Sequence, residues 1–218
     1  VAAERTSGRL HFPEAEQAQP WLGLLLEAYS VIDEGVRESV ARAEHRGGAL
    51  ACARGCASCC RTHTDIPVYP LEMMGLAWYL VERIEEPLRS RLREQLKAHT
   101  NLDGCPFLLD EACAIHPLRP AACRQFNVLG RPCGPGEDAY HTRREDVVEP
   151  IRRYLDTAFD IMLPFYGVQS KAERRRAIKE GRLHALARSL RTLEWASLVR
   201  RMEEYDRRFG APAEAEER

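Results

Sequence analysis

The sequence predicts a mainly α fold, a helical body around an irregular, cysteine-rich loop layer. Three observations carry that prediction. Apolar residues recur at steps of three and four on both sides of the middle of the chain. No apolar–polar alternation runs long enough to require a sheet. All eight cysteines fall between Cys52 and Cys133, and the last four lie within residues 101–143, where the apolar period is lost.

Taken in order, the first helix runs from Trp21 to about Arg46, with Leu22, Leu25, Tyr29, Ile32, Val36 and Val40 on one face and Gly47-Gly48 as its stop. A second covers Leu71 to Ile84 and is opened by Pro70, which suits a first-turn position. A third begins at Pro87 and reaches about His99, with Leu88, Leu92 and Leu96 in register. Residues 101–143 then lose the period and carry Pro106, Pro117, Pro120, Pro132 and Pro135, with Ala112–Ile115 a candidate short strand. Helix is expected again from Arg144, where Val147, Val148, Ile151, Tyr154, Leu155, Ala158, Phe159 and Met162 form a broad stripe ended by Pro164. A short helix from Ser170 to Glu180 and a last one from about Leu183 to Arg208 follow, the former with Ser170 as N-cap. This gives one helical domain over residues 1–210, with the cysteine region at about 52–133, and a disordered tail at 211–218.

Composition narrows the function. The formal net charge is -1 and basic runs such as Arg174, Arg175 and Arg176 are interleaved with acidic neighbours, so no nucleic-acid or membrane-surface partner is expected. No apolar run is long enough to cross a bilayer. The first residues lack a basic segment followed by an apolar one, so a cytoplasmic protein with reduced thiols is expected. An even number of cysteines raises the alternative of a disulfide framework. Such frameworks belong to short secreted chains without a core, and 218 residues rich in apolar helices argue for metal ligation instead.

The spacing adds detail. Cys52, Cys56, Cys59 and Cys60 form C-x3-C-x2-C-C, and Gly55 permits the left-handed backbone that gathering several sulfurs in a tight turn often needs. Thiolates are soft donors that select zinc, iron-sulfur clusters or Cu(I) over magnesium or calcium. A zinc ion takes four ligands with sulfurs about 2.3 Å away, and adjacent residues rarely aim both side chains at one small ion. Cys59 and Cys60 are therefore expected to serve different centres or different irons. The eight thiols, completed by Cys105, Cys113, Cys123 and Cys133, divide most naturally into two sets of four, with the later segment folding back onto the earlier one. One four-cysteine centre with the other thiols structural or redox-active is the alternative.

These residues also carry a resemblance. C-x3-C-x2-CC, then CPFL at Cys105–Leu108, C-x-I at Cys113–Ile115 and RPxxCRxF at Arg119–Phe126, with Cys133 trailing, resemble the YkgJ-type or CxxCxxCC cysteine-cluster family over about residues 52–133. That resemblance implies a zinc- or iron-chelating domain related to flagellin lysine N-methylase. His116 stands where the family pattern has tyrosine, and a structural role is expected for it; His63, three positions after Cys60, has slightly more claim to be a ligand. His99 and His141 read as surface residues.

Four thiolates around zinc or an oxidised 4Fe-4S core leave about -2 of charge per centre. Arg119 and Arg124, flanking Cys123, are the candidates to offset it, by bonding sulfur or nearby carbonyls. Phe107, Leu108 and Phe126 are expected to form the apolar wall of the cluster pocket. The cysteine spacing also suits radical-SAM enzymes, but the strand–helix alternation of their barrel is missing. Iron-sulfur, as a 4Fe-4S cluster, is the preferred cofactor because clustered thiols with an adjacent pair suit a multi-iron unit; zinc is the alternative, although structural zinc sites generally use paired C-x2-C knuckles and only Cys56 and Cys59 supply that step.

Three functions follow: redox or electron transfer, modification of a peptide or protein substrate in the manner of a SAM-dependent lysine N-methylase, and a structural or metal-handling role. The partner is an unidentified peptide or protein substrate or redox protein. No G-x-G-x-x-G follows a strand to make a familiar SAM pocket, and no catalytic set stands out; Asp65, Glu72 and Glu82 are the bare candidates.

Overall fold

A computed structural model describes residues 4–6, 8–100 and 104–212; the expected tail lies mostly outside the described residues. The protein is mainly helical. Two short strands, β1 (Glu4–Thr6) and β2 (Arg9–His11), pair antiparallel ahead of α1 (Pro13–Ala18) and the long α2 (Pro20–His45). A single turn and a half, α3 (Ser58–Thr62), precedes β3 (Pro67–Val68), α4 (Pro70–Glu82) and α5 (Leu88–Ala98). The middle segment holds the hairpin β4 (Leu108–Leu109) and β5 (Ala112–Cys113), then α6 (Ala121–Gln125) and α7 (Ala139–Thr142). The chain finishes with α8 (Arg152–Met162), α9 (Lys171–Lys179), α10 (Arg182–Leu186), β6 (Arg188–Ser189) and α11 (Trp195–Phe209). Among the described residues no helix is long and apolar enough to cross a membrane.

The main core lies where α2, α4, α5, α8 and α11 bring their apolar faces together. Leu22, Leu25 and Ile32 of α2 meet Leu71, Leu76 and Leu80 of α4, Leu92 and Leu96 of α5, Phe159 and Met162 of α8, and Leu198 and Met202 of α11. Helices α2 and α8 approach closely because Gly35 has no side chain: a Cβ there would stand 2.7 Å from Cβ of Tyr154. Arg89 is fully buried and ties α4 to α11, donating to the carbonyls of Leu80 (2.9 Å), Val81 (2.9 Å) and Ile84 (3.2 Å) and to Asp206 (2.9 Å). These carbonyls belong to the last turn of α4 or just beyond, where no intrahelical donor remains.

Two expectations about helices need correction. The helix expected from Arg144 begins only at Arg152: residues 144–146 form a single 3-10 turn, and Val147 and Val148 run extended. Pro150 explains the delay, since it disfavours helical backbone at Glu149 and lacks the N–H to continue a ladder. The last predicted helix is broken into α10 and α11, because residues 188–189 leave the helical path to pair with Pro67–Val68. Ser170, by contrast, caps α9 by accepting from the Glu173 N–H (3.2 Å).

Candidate metal centre

Local structure first gathers the early thiols. Gly48 and Gly47 close α2 by donating to the carbonyls of Ala43 (3.0 Å) and Glu44 (2.9 Å), releasing the chain into the Cys52–Cys56 turn. Gly55 there has φ +87, a left-handed value that a side chain would strain. Cys59 and Cys60 fall on α3, so their side chains leave the axis about 100° apart.

The later thiols come back to meet them. The Cys105 N–H donates to the Cys60 carbonyl (2.6 Å), and the β4–β5 hairpin, with Leu108 opposite Cys113, brings that strand to the same wall. Cys123 sits in the middle of α6. The Ala51 N–H bonds the Val128 carbonyl (2.8 Å), laying the 127–133 arm beside the first cysteines, and the Val128 N–H donates to Cys52 Sγ (3.3 Å). Cys133 accepts from Nη2 of the buried Arg143 (3.5 Å).

Seven of the eight thiols, all but Cys133, thus line one cavity of about 1080 Å³. None of the eight is in a disulfide. Thiol–thiol hydrogen bonds link Cys59 to Cys60 and Cys60 to Cys105. Crowding of this kind opposes ionisation. The bond to Cys105, with burial, pushes Cys60 up to about 12; the bond to Cys60 raises Cys59; burial and then the neighbouring thiols raise Cys123. Only added positive charge lets so many sulfurs become thiolates together. Among the described residues no three His, Cys, Asp or Glu side chains already stand as a set that would hold a metal ion; the sulfurs ring the space rather than meet at a point.

Does this site fit a zinc ion or an iron-sulfur cluster? The donors are soft and unbridged, and Nε of Arg119, on the cavity wall, is buried without a hydrogen-bond partner. The Arg119 charge acts on Cys113, opposing the rise that burial imposes on that thiol. An anionic thiolate–metal unit is what such an orphaned cationic N–H requires, so the residues fit.

The two arginines differ. Arg119 lines the cavity, whereas Arg124 is buried behind it and donates to no sulfur. Its N–H groups go to the carbonyls of Arg119 (2.9 Å) and Pro117 (2.5 Å) and to Asp33 (2.7 Å) on α2, and its guanidinium lies 4.0 Å from the Tyr29 ring centre. Arg124 therefore braces the turn that carries Arg119 and Cys123. Leu108 and Phe126 line the cavity; Phe107 does not, because it is fully buried edge-to-face against Trp195 (5.0 Å).

Of the histidines, His63, His116 and His141 line the cavity and His99 does not. His116 and His141 are exposed. His63 Nε2 stands 3.2 Å from Asp138, and its ring meets Phe126 edge-on at 4.2 Å; burial lowers its pKa against the pull of Asp138. Asp65 is on the cavity wall, whereas Glu82 ends α4 away from it.

Glu72, the third candidate, does not line the cavity. It is completely buried and accepts from the N–H groups of Tyr69 (3.0 Å) and Ala121 (2.7 Å), joining the start of α4 to the start of α6. Its position two residues after Pro70 signals the first bond, but Ala121 is too distant in sequence for any local pattern to signal the second. Sequence reasoning also missed Glu137, which gathers Arg131 (2.8 Å), Arg143 (2.9 Å) and the Gly134 N–H (2.6 Å) around the Cys133 loop. Nothing local in the sequence marks that contact.

Residues 51–147 match the CxxCxxCC family, whose description is "Putative zinc- or iron-chelating domain". No curated protein and no solved structure matches the chain significantly. With its free thiols ringing one cavity, the stretch 51–147 is similar to the cysteine-cluster domains that this family model describes.

Proposed function

We propose that the cavity holds iron as one or two iron-sulfur clusters, of the 4Fe-4S type, and that the protein performs redox chemistry or modifies a peptide or protein. The observation that carries this reading is seven unbridged thiols around a single space of about 1080 Å³, far more donors than one zinc ion uses. The adjacent pair on α3 supports it, since diverging sulfurs serve neighbouring irons. In this reading Cys52, Cys56, Cys59, Cys60, Cys105, Cys113, Cys123 and Cys133 are the ligands. Arg119 donates toward the anionic unit and Arg124 holds Arg119 in place. A bound cluster would supply one-electron chemistry or a Lewis-acidic iron. Thiols without disulfides suit a reducing compartment such as the cytoplasm. The partner is a peptide, protein substrate or redox protein that reaches the cavity beside Tyr140 and His141.

Zinc is the second reading, favoured by the Cys56–Cys59 knuckle at its solvent edge. Anaerobic purification followed by an optical spectrum and elemental analysis decides between them. Brown protein with iron and labile sulfide supports the cluster. Colourless protein with stoichiometric zinc sinks it, and protein without either metal sinks both readings. Added S-adenosylmethionine that perturbs the cluster spectrum selects modification over electron transfer.

A further inference from the structure

The cysteines rest on two different apolar foundations. Cys105 belongs to the main core, and Cys60, Cys113 and Cys123 pack against it. Cys52 and Cys133 pack instead against a separate small cluster made of Val128, Ala139 and Val147. Cys56 is exposed on the turn that holds Gly55, whereas Cys105 is buried.

Hydrogen bonds follow the same division. Cys60 and Cys105 are joined through both backbone and thiols. Cys52 and Cys133 are each fixed by N–H donors of the 128–143 arm, Val128 and Arg143. Cys59 borders both groups: its thiol bonds Cys60 and lies near Cys113 and Cys123 on one side, and near Cys52 on the other. Four thiols already sit on the main core, so the vicinal pair is divided, Cys60 inward and Cys59 outward.

We propose that the eight thiols form two centres, an inner one of Cys60, Cys105, Cys113 and Cys123 on the main core and an outer, exchangeable one of Cys52, Cys56, Cys59 and Cys133 on the small core. The proposal rests on the metal-chelating reading above and adds the assignment of ligands and their unequal lability. Local opening tracks the apolar packing beneath a segment. Val128, Ala139 and Val147, with the half-buried Phe126 against them, support the outer seat, whereas a core drawn from five helices supports the inner one. The outer seat also has the exposed ligand, Cys56, through which a competing donor can enter.

The full chain, loaded anaerobically with cobalt(II), tests this through metal stoichiometry, thiolate-to-cobalt absorption and release to a chromogenic chelator. Two equivalents are expected, leaving in two phases about tenfold or more apart in rate, since opening the two seats differs in cost. Cys56→Ser and Cys133→Ser should each abolish the fast phase and leave the slow equivalent intact. Cys113→Ser should abolish the slow phase and leave the fast one. Loss of the slow equivalent in Cys133→Ser, or loss of the same phase in Cys56→Ser and Cys113→Ser, overturns the assignment. Should Cys113→Ser fail to fold, the two outer variants still decide. A wild-type chain that takes up no cobalt would instead overturn the metal-chelating reading itself.

Discussion

Replacing Glu72 with alanine strips the acceptor from two buried backbone donors at once, Tyr69 N–H at 3.0 Å and Ala121 N–H at 2.7 Å. Stranding one buried donor costs about 1–3 kcal/mol, so the pair amounts to roughly 2–6 kcal/mol. Part of that is returned, because Glu72 is fully buried and burial pushes its pKa up, a sign that the carboxylate itself is held at a cost. A net destabilisation of about 2–4 kcal/mol is expected for Glu72→Ala. Glu72→Gln keeps one carbonyl oxygen but turns an amide donor toward the other N–H, and should lose about half as much. Urea unfolding of the metal-free, reduced protein measures the loss. The location of the damage is as informative as its size: Ala121 opens α6, two residues before Cys123, so mass-spectrometric alkylation should find Cys123 modified faster in the alanine variant. A variant within about 0.5 kcal/mol of the parent, with Cys123 reacting at its original rate, would refute the reasoning.

Arg89→Ala removes the donor from carbonyls of α4 and breaks a buried pair with Asp206; because Asp206 keeps Arg93 at 2.9 Å, the loss should sit near the lower end of such cases, about 3 kcal/mol by chemical denaturation. Gly35→Ala places a Cβ against Tyr154, costing about 1–3 kcal/mol of overpacking less about 0.5–1 kcal/mol of helix propensity, so a lowered melting temperature is expected and an unchanged one counts against the close α2–α8 contact. Glu137 is held down to about 2 by Arg131, the Gly134 N–H and Arg143, against an ordinary value of 4.5. Its folded pKa is depressed, so its contribution is full above about pH 4.5 and disappears as pH falls through about 2. Amide exchange around the Cys133 loop in metal-free protein should accelerate across that window, and Glu137→Gln should flatten the change; identical pH profiles would be the contrary result.

The parts of the fold legible in the sequence are those in which one helix decides its own ends. Pro70 in the first turn of α4, Ser170 before α9 and Gly47-Gly48 after α2 are local signals that the structure follows. Periodicity misled where a distant partner decided the backbone. Val147 turns out to face a small core from extended chain, and residues 188–189 leave the helical path for a partner more than a hundred residues earlier. At the site, composition and spacing carried the soft-donor chemistry, because thiols in tight turns advertise themselves. They did not carry the burial of Arg124 or the role of Glu72, which depend on contacts between segments far apart, nor the Glu137 cluster, which closes within six residues but in a loop with no periodic pattern to mark it.

The contact between β3 and β6 has a wider meaning. Beside it, the Leu190 N–H bonds the Ile66 carbonyl (2.8 Å) and Arg191 bonds the His63 carbonyl (3.1 Å), while Trp195 covers Phe107 and Asp33 holds Arg124. The floor beneath the thiols is thus borrowed from both ends of the polypeptide. The recognisable span and the self-supporting span are different lengths of chain, and kinship judged by the cysteine signature alone says nothing of whether another sequence carries the scaffold that gives the signature its shape.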